Sequence, residues 1–184
     1  ADKVIIELNN GQNAELAIEN SVAKGTITIE NVHRWNGLKD PYLYQVKASL
    51  VRDDKTVDEI SERFGCREFA IDSDKGFFLN GESYPLHGVS RHQDRQGVGN
   101  ALTKEMHEED LELILSVGAN SIRLAHYQHD QYFYDLCDEK GIVAWAEIPY
   151  ITVHMDKGRE NTVQQMKELI TQNYNHASIF CWAL

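Results

Sequence analysis

The sequence predicts a β-sandwich over residues 1–72, followed by an α/β unit over residues 73–184. Before about residue 72, apolar and polar residues alternate in short runs separated by turns rich in Asn, Gly and Asp. This period of two is typical of half-buried antiparallel strands. After that point, apolar strands alternate with amphipathic helices, which is typical of a parallel sheet covered by helices.

The composition is that of a globular protein and excludes several classes of partner. With 184 residues, 42% of them hydrophobic, the chain can bury a real core. A net charge of −11 without any Lys/Arg cluster argues against nucleic acid or an anionic membrane as partner. No stretch approaches the roughly 18 apolar residues of a membrane span. Cys66, Cys137 and Cys181 have no metal-like spacing, so we expect reduced thiols and no disulfide framework.

The first part contains five alternating runs that we interpret as strands. They read "VIIEL", "AELAIE", "GTITIE", "YLYQVKASLV" and "TVDEISERFG". Just beyond them, Asn80 and Gly81 lie between two apolar stretches, as the central residues of a type I′ hairpin turn would. Five or so antiparallel strands predict a sandwich.

The second part predicts four strands and three helices. The strands are "PLHGVSRH", "SIRLAH", "IVAWAEIP" and "SIFCWAL". The first helix is predicted to begin after the cap Thr103 and to end at Gly118, and the second to run from Gln131 to Lys140 before Gly141. The third helix is expected to have Asn161 as its cap, Gln164 at its third position, and a buried stripe formed by Val163, Met166, Leu169 and Ile170.

Repeated β/α units leave two architectures open, a (β/α)₈ barrel and a doubly wound open sheet. The segment "SRHQDRQGVGNALT" after the first parallel strand lacks the G-x-G-x-x-G phosphate loop of the open sheet. The barrel is therefore favoured, and four units make its N-terminal half.

Polar residues collect where these strands end, and in a barrel the chemistry lies at that edge. They are Ser90, Arg91, His92 and Asp94 after strand one, Arg123 and His126 on strand two, and Glu147 on strand three. Each could instead be a satisfied structural residue, and Glu147 could be a buried ion-pair partner of Arg123. The eight histidines lack the spacing of a metal site, and no G-x-S-x-G nucleophile motif occurs. A lining of hydrogen-bonding and positive groups suits a sugar.

Several long stretches resemble glycoside hydrolase family 2, and most closely its bacterial β-galactosidases. They are "GFFLNGESYPLHGVSRHQD", "GANSIRLAHYQHDQYFYDLCDEKGIVAWAEIPY" and "NYNHASIFCWAL". Before them, "NGLKDPYLYQVKASL" and "DEISERFGCREFAID" resemble the end of the family's immunoglobulin-like sandwich. The resemblance implies a partial immunoglobulin-like β-sandwich followed by the N-terminal half of a (β/α)₈ TIM barrel. The compartment stays open between bacterial cytoplasm and periplasm.

The resemblance also implies cleavage of β-glycosides with retention of configuration, which needs two carboxyl groups about 5 to 5.5 Å apart. In the family the acid/base Glu belongs to an Asn-Glu pair directly after the strand-four motif, and the nucleophile lies at the end of strand seven. Here "HASIFCWAL" stops at Leu184, so we expect neither catalytic Glu in this chain. We expect an excised piece that is inactive alone.

Three residues match sugar-lining positions of the family: His92, Arg123 and His126. The resemblance implies that the Arg holds the nucleophile carboxylate and that the histidines touch sugar hydroxyls. Supporting roles are expected for Asp94, Glu147 and Trp182, and packing is the alternative role for Trp182.

Substrate, cofactor and assembly follow from the same resemblance. "AHYQH" and "WAEIPY" favour a β-galactoside over a glucuronide. The alternatives are a β-glucuronidase or another family 2 glycosidase, and a non-catalytic carbohydrate-binding module. Ile151 and Val153 replace the magnesium ligands of some relatives, so no metal or cofactor is expected. A homo-oligomer is expected, and exposed barrel edges predict dimerisation of this chain.

Overall fold

The computed structural model describes all residues from 1 to 184 and contains three sheets and three α-helices. The strands are β1 (Lys3–Leu8), β2 (Asn13–Glu19), β3 (Val22–Ala23), β4 (Tyr44–Arg52), β5 (Lys55–Phe64), β6 (Phe69–Asp72), β7 (Gly76–Leu79), β8 (Glu82–Ser83), β9 (Gly88–Arg91), β10 (Ser121–Leu124), β11 (Val143–Glu147) and β12 (Ile179–Ala183). The α-helices are α1 (Lys104–Ser116), α2 (Gln131–Lys140) and α3 (Arg159–Asn173).

The first sheet is antiparallel and has the order β3-β2-β1-β4-β5. Along β2 exposed and half-buried residues alternate strictly, as the period of two predicts. The predicted strand "GTITIE" is wrong, because residues 25–30 pair with no neighbouring strand. Ile27 and Ile29 are nevertheless half-buried and line a groove of about 920 Å³ together with Ile6 and Leu8. The alternation thus reports which side chains are covered and does not report backbone pairing.

A small sheet of order β6-β7-β8 connects the two parts of the chain. The hairpin turn predicted at Asn80 and Gly81 is confirmed, since both residues have positive φ, 55° and 85°, and Leu79 pairs with Glu82. The domain boundary expected after residue 72 remains a prediction. The strands on either side of it, β6 and β7, pair in this one sheet.

The third sheet is parallel, with the order β12-β11-β10-β9. Spatial order follows chain order without the reversal that marks a doubly wound sheet, so the arrangement is the first half of a barrel. The helices cover one face, where a core of 15 buried residues includes Leu111 and Phe133 from the helices and Ile122 and Ala144 from the strands. β9 and β12 are unpaired edges. The other face is covered at the start of β11, where Val143 packs against Trp35 and Leu79, and is open further along, where Trp145 is partly exposed.

The helix ends show which local signals were decisive. Thr103 Oγ1 accepts from the backbone N–H of Met106, and Gly141 ends α2 with a φ of 77°, as predicted. The predicted cap at Asn161 is wrong, because α3 begins at Arg159 and its cap position is Gly158, three residues before Asn161. The carbonyl of Gly158 already accepts a helical hydrogen bond, so Asn161 lies inside the first turn.

The predicted buried stripe of α3 is also only partly present. Val163 is exposed, Met166 is half-buried and Leu169 is fully buried. The fully buried residues of α3, Leu169 and Asn173, both lie toward its C-terminal end, so its N-terminal part stays in solvent.

Two composition-based expectations can be compared with the structure. All three cysteines are free, and Cys137 is fully buried in α2. No helix has the length and apolar character that crossing a membrane requires.

Candidate functional site

The open face of the parallel sheet is where the sequence-predicted polar groups meet. Arg123 lies opposite Ser90 on β9 and opposite Trp145 on β11. Because side chains alternate along a strand, these three residues and Glu147, two positions after Trp145, project from the same face. A depression of about 480 Å³ on this face is lined by Leu86, Gly88, Val89, Ser90, Ser121, Ile122, Arg123, Trp145, Glu147, Phe180 and Leu184.

Arg123 and Glu147 form a two-pronged ion pair in the depression. Arg123 Nε donates to Glu147 Oε1 at 2.5 Å, and Nη2 donates to Oε2 at 3.1 Å. The Glu147 side chain is 2% exposed, whereas that of Arg123 is 45% exposed. The hydrogen bond to Glu147 raises the pKa of Arg123. The interpretation of Glu147 as a buried partner of Arg123 is therefore confirmed.

His126 joins this pair from the loop after β10. Its Nδ1 lies 3.1 Å from Arg123 Nη2 and 3.2 Å from Glu147 Oε2. The neutral ring with its proton on Nε2 accepts from the guanidinium, and the protonated ring donates to the carboxylate. His92, in the loop after β9, lies with its ring centroid 5.1 Å from that of His126. The three predicted sugar-lining residues are thus neighbours.

The guanidinium of Arg123 has hydrogen-bond donors that no residue of the chain uses. Its Nε and Nη2 are engaged by Glu147 and His126, but Nη1 makes no hydrogen bond within the chain. An arginine has five N–H donors in a fixed plane, so Nη1 can offer two of them to a ligand. Glu147 orients the fork, and the open side of Arg123 is left for an acceptor.

Two of the predicted supporting residues do not join this cluster. Asp94 is exposed in the loop after β9 and makes no hydrogen bond or ion pair through its carboxylate. Trp182 packs against the helix-covered core, and in the ladder it lies opposite Ala146, whose side chain belongs to that core. Trp182 therefore contributes packing behind the sheet and does not line the depression.

A buried polar cluster on the helix-covered side was not assigned by sequence reasoning. Arg91, which immediately follows Ser90, projects to the opposite face and contacts Asp110, His107 and His129. The alternation along β9 could have separated Arg91 from Ser90, but the two histidines come from other elements and carry no local signal.

A group of possible metal ligands lies at the other end of the sheet. Asp135, Asp138 and His176 each offer a ligand atom, and these atoms lie within 4.8 Å of one another. Arg63 pairs with Asp135 at 2.8 Å, and His176 Nδ1 lies 2.7 Å from Asp138 Oδ2. Asp138 also accepts from the N–H of Ser178. Their charges are thus compensated within the chain, where the sandwich meets the barrel.

Comparisons with known proteins find matches along nearly the whole chain. The family model described as "Glycosyl hydrolases family 2" matches residues 2–67, and "Glycosyl hydrolases family 2, TIM barrel domain" matches residues 70–184. Among curated relatives, a β-glucuronidase of Bacteroides fragilis is 51% identical over 86% of this chain and 24% of its own length. A β-galactosidase of Thermoanaerobacterium thermosulfurigenes is 31% identical over 85% of this chain and 22% of its own.

Solved structures agree with these matches. The crystal structure of a family 2 β-galacturonidase from Eisenbergiella tayi, bound to galacturonate, superposes with a TM-score of 0.89 at 34% identity. The alignment covers 99% of this chain and 34% of that one. The chain spans about a quarter of the length of the curated relatives it matches. With two family models covering nearly every residue, the chain belongs to glycoside hydrolase family 2.

Proposed function

We propose that residues 1–184 form part of a retaining β-glycosidase and supply the pocket wall that holds the nonreducing sugar. The observation that carries this proposal is the cluster of Arg123, Glu147 and His126 at the carboxyl ends of β10 and β11. A parallel barrel performs its chemistry at this edge. A buried carboxylate that orients a half-exposed guanidinium is a costly arrangement for packing alone.

The cluster can bind a sugar and a catalytic carboxylate at once. The free Nη1 group of Arg123 can donate two hydrogen bonds, which would keep a nucleophile carboxylate ionised and aimed. The imidazoles of His126 and His92 can each exchange hydrogen bonds with hydroxyl groups. Trp145, partly exposed on the same face, offers an aromatic surface for the apolar face of a sugar ring.

Glu147 is a poor candidate for either catalytic carboxyl group. Both of its oxygens already accept hydrogen bonds from Arg123, and it is almost fully buried. Because no other carboxylate lines the depression, we infer that the acid/base and the nucleophile come from outside residues 1–184. The family resemblance implies an acid/base Glu directly after Leu184, so this chain alone is expected to be inactive.

The sugar class has two candidates. The 51% identity to a β-glucuronidase favours a β-glucuronide, and the liganded β-galacturonidase structure also points to an acidic sugar. The β-galactoside expected from "AHYQH" and "WAEIPY" is supported by the more distant β-galactosidase. Kinetics with nitrophenyl β-galactoside, β-glucuronide and β-galacturonide will rank them.

The decisive experiment uses Arg123→Lys in the complete polypeptide that contains residues 1–184. A lysine cannot hold Glu147 with two parallel bonds and still offer two donors, so kcat/KM is expected to fall at least about a hundredfold. The matched control is Arg63→Lys, because Arg63 likewise forms ion pairs with carboxylates, those of Asp135 and Glu139, but lies at the opposite end of the sheet. Equal losses in both variants would refute the assigned role.

Two further outcomes bear on the mechanism. Proton NMR in deuterated water should show the β-anomer as the first product, since retention requires two displacements. Hydrolysis by residues 1–184 alone would overturn the inference that the catalytic pair lies elsewhere.

The expectations on metal and assembly remain proposals. Ile151 and Val153, at the places of magnesium ligands in some relatives, are exposed aliphatic side chains without ligand atoms. We therefore expect chelation by EDTA to leave hydrolysis unchanged. The unpaired edges β9 and β12 favour association of residues 1–184 into dimers, which sedimentation would detect.

A further inference from the structure

On the helix-covered face of the parallel sheet, a buried arginine, Arg91, forms the centre of a polar cluster. Arg91 Nε and Nη2 both donate to Asp110 Oδ2, at 3.0 and 2.7 Å. Its Nη1 lies 3.1 Å from His129 Nδ1, and Nη2 lies 3.0 Å from His107 Nδ1. The guanidinium also stacks over the ring of Phe133, 3.9 Å from its centroid. Arg91 itself is therefore held on three sides.

The contact with Arg91 defines the proton position on His129. A guanidinium can only donate, so Nδ1 of His129 must accept and its proton lies on Nε2. That Nε2–H group donates to the carbonyl oxygen of Ala125 at 3.0 Å. Ala125 is joined directly to His126, so the bond restrains the backbone that carries the sugar-lining imidazole.

Two more hydrogen bonds join the same pair of loops. The backbone N–H of Gln93 donates to the hydroxyl of Tyr127 at 3.0 Å, and the backbone N–H of Asp130 donates to Gln93 Oε1 at 2.7 Å. The loop carrying His92 and the loop carrying His126 are thereby linked across the strand ends. Of these links, the one through His129 is the most buried, and it holds the main chain at the residue before His126.

We propose that His129 is a positioning residue for sugar recognition. Arg91 holds the imidazole of His129, and His129 in turn holds the Ala125 carbonyl. The main chain at Ala125 is thereby fixed, and this orients His126 toward the sugar. The proposal rests on the proposed function and adds a residue that does not itself line the depression.

The test compares two side chains that each preserve one half of the imidazole. In His129→Gln the amide nitrogen can replace Nε2–H and keep the bond to Ala125. In His129→Asn the amide oxygen can replace Nδ1 and keep the bond to Arg91, but the bond to Ala125 is lost. With the complete polypeptide, we expect His129→Asn to raise KM for the best nitrophenyl glycoside roughly three- to tenfold, the range of one hydrogen bond. His129→Gln should stay within twofold of wild type.

His107 offers a matched control. It is 1% exposed, compared with 3% for His129, and it contacts the same guanidinium through the same ring nitrogen. Its Nε2 has no partner, and it makes no hydrogen bond to the loops after β9 and β10. His107→Asn should therefore lower the melting temperature without raising KM. A purely structural role of His129 would give the same result for His129→Asn, an unchanged KM with a lower melting temperature.

A second readout keeps the proposal independent of activity. In imidazole ¹H–¹⁵N NMR spectra, the His126 signals should shift in His129→Asn and remain in place in His129→Gln. Unshifted His126 signals in His129→Asn would overturn the positioning role. If the wild-type polypeptide hydrolysed no glycoside, the proposed function would fail, and these spectra would still decide whether His129 positions His126.

Discussion

Acidification from pH 7 to pH 4 should destabilise this protein through His129. Burial is the main cause that lowers the pKa of His129 from its ordinary value near 6.5 to about 4. The hydrogen bond from Nε2 to the Ala125 carbonyl opposes this effect, and the Arg91 guanidinium adds to it. The folded protein therefore keeps a neutral imidazole at a pH where the unfolded chain binds a proton.

The sign and size follow from proton linkage. Between pH 6.5 and about 4 the unfolded chain binds more protons at His129, so the free energy of unfolding decreases as the pH falls. At about 1.4 kcal/mol per pH unit, the full effect is about 3 kcal/mol. It is absent above pH 6.5, and it does not grow further below pH 4.

The assay is urea unfolding monitored by tryptophan fluorescence from pH 7.5 to pH 4, with His129→Gln as reference. Burial also lowers the pKa of His107. Because His107 and the carboxylates titrate in both proteins, their contributions to the pH dependence cancel in the stability difference. The stability of wild type relative to His129→Gln should drop by about 3 kcal/mol across this range. A difference that stays constant with pH would refute the argument.

Three other perturbations have expected outcomes. Gly141→Ala should lower the free energy of unfolding in urea by about 3 kcal/mol or more, because the new Cβ would lie 2.1 Å from a backbone oxygen. Gly118 has nearly the same φ and nothing within 4 Å of such a Cβ, so Gly118→Ala should lower it by only about 1 kcal/mol. Equal losses in the two variants would contradict this reasoning. Burial raises the pKa of the Cys137 thiol, so a thiol reagent should modify it only after denaturation, and labelling of the native protein would show that the core opens. Trp35→Phe removes the donor to the buried Asp138 carbonyl and should lower the free energy of unfolding by about 1–3 kcal/mol, a loss that an unchanged urea midpoint would disprove.

The sequence predicted correctly those features that depend on neighbouring residues. The left-handed conformations at Asn80 and Gly81 and the helix end at Gly141 are backbone preferences of single residues. Hydrophobic periodicity likewise identified the parallel strands, and strand ends pointed to Arg123 and Glu147 before any contact was known. Long motifs identified the family that the comparisons then showed.

The predictions were wrong where a local sequence pattern is compatible with more than one structure. The alternation in "GTITIE" describes covered side chains, but hydrogen-bond pairing depends on a neighbour elsewhere in the chain. Asn161 has the chemistry of a helix cap, but α3 starts before it, and Val163 lies on a helical face that nothing covers.

The amino-acid sequence by itself determined the two-part fold, the order of strands and helices, and the residue types gathered at one edge of the barrel. Only the tertiary structure decided that Arg123 forms an ion pair with Glu147 and that Trp182 packs on the helix-covered face of the sheet. It also placed His129 between Arg91 and the loop of His126. The physical reason is that secondary structure follows from interactions within a few residues, whereas a hydrogen-bond network joins groups far apart in sequence whose distances are set by packing.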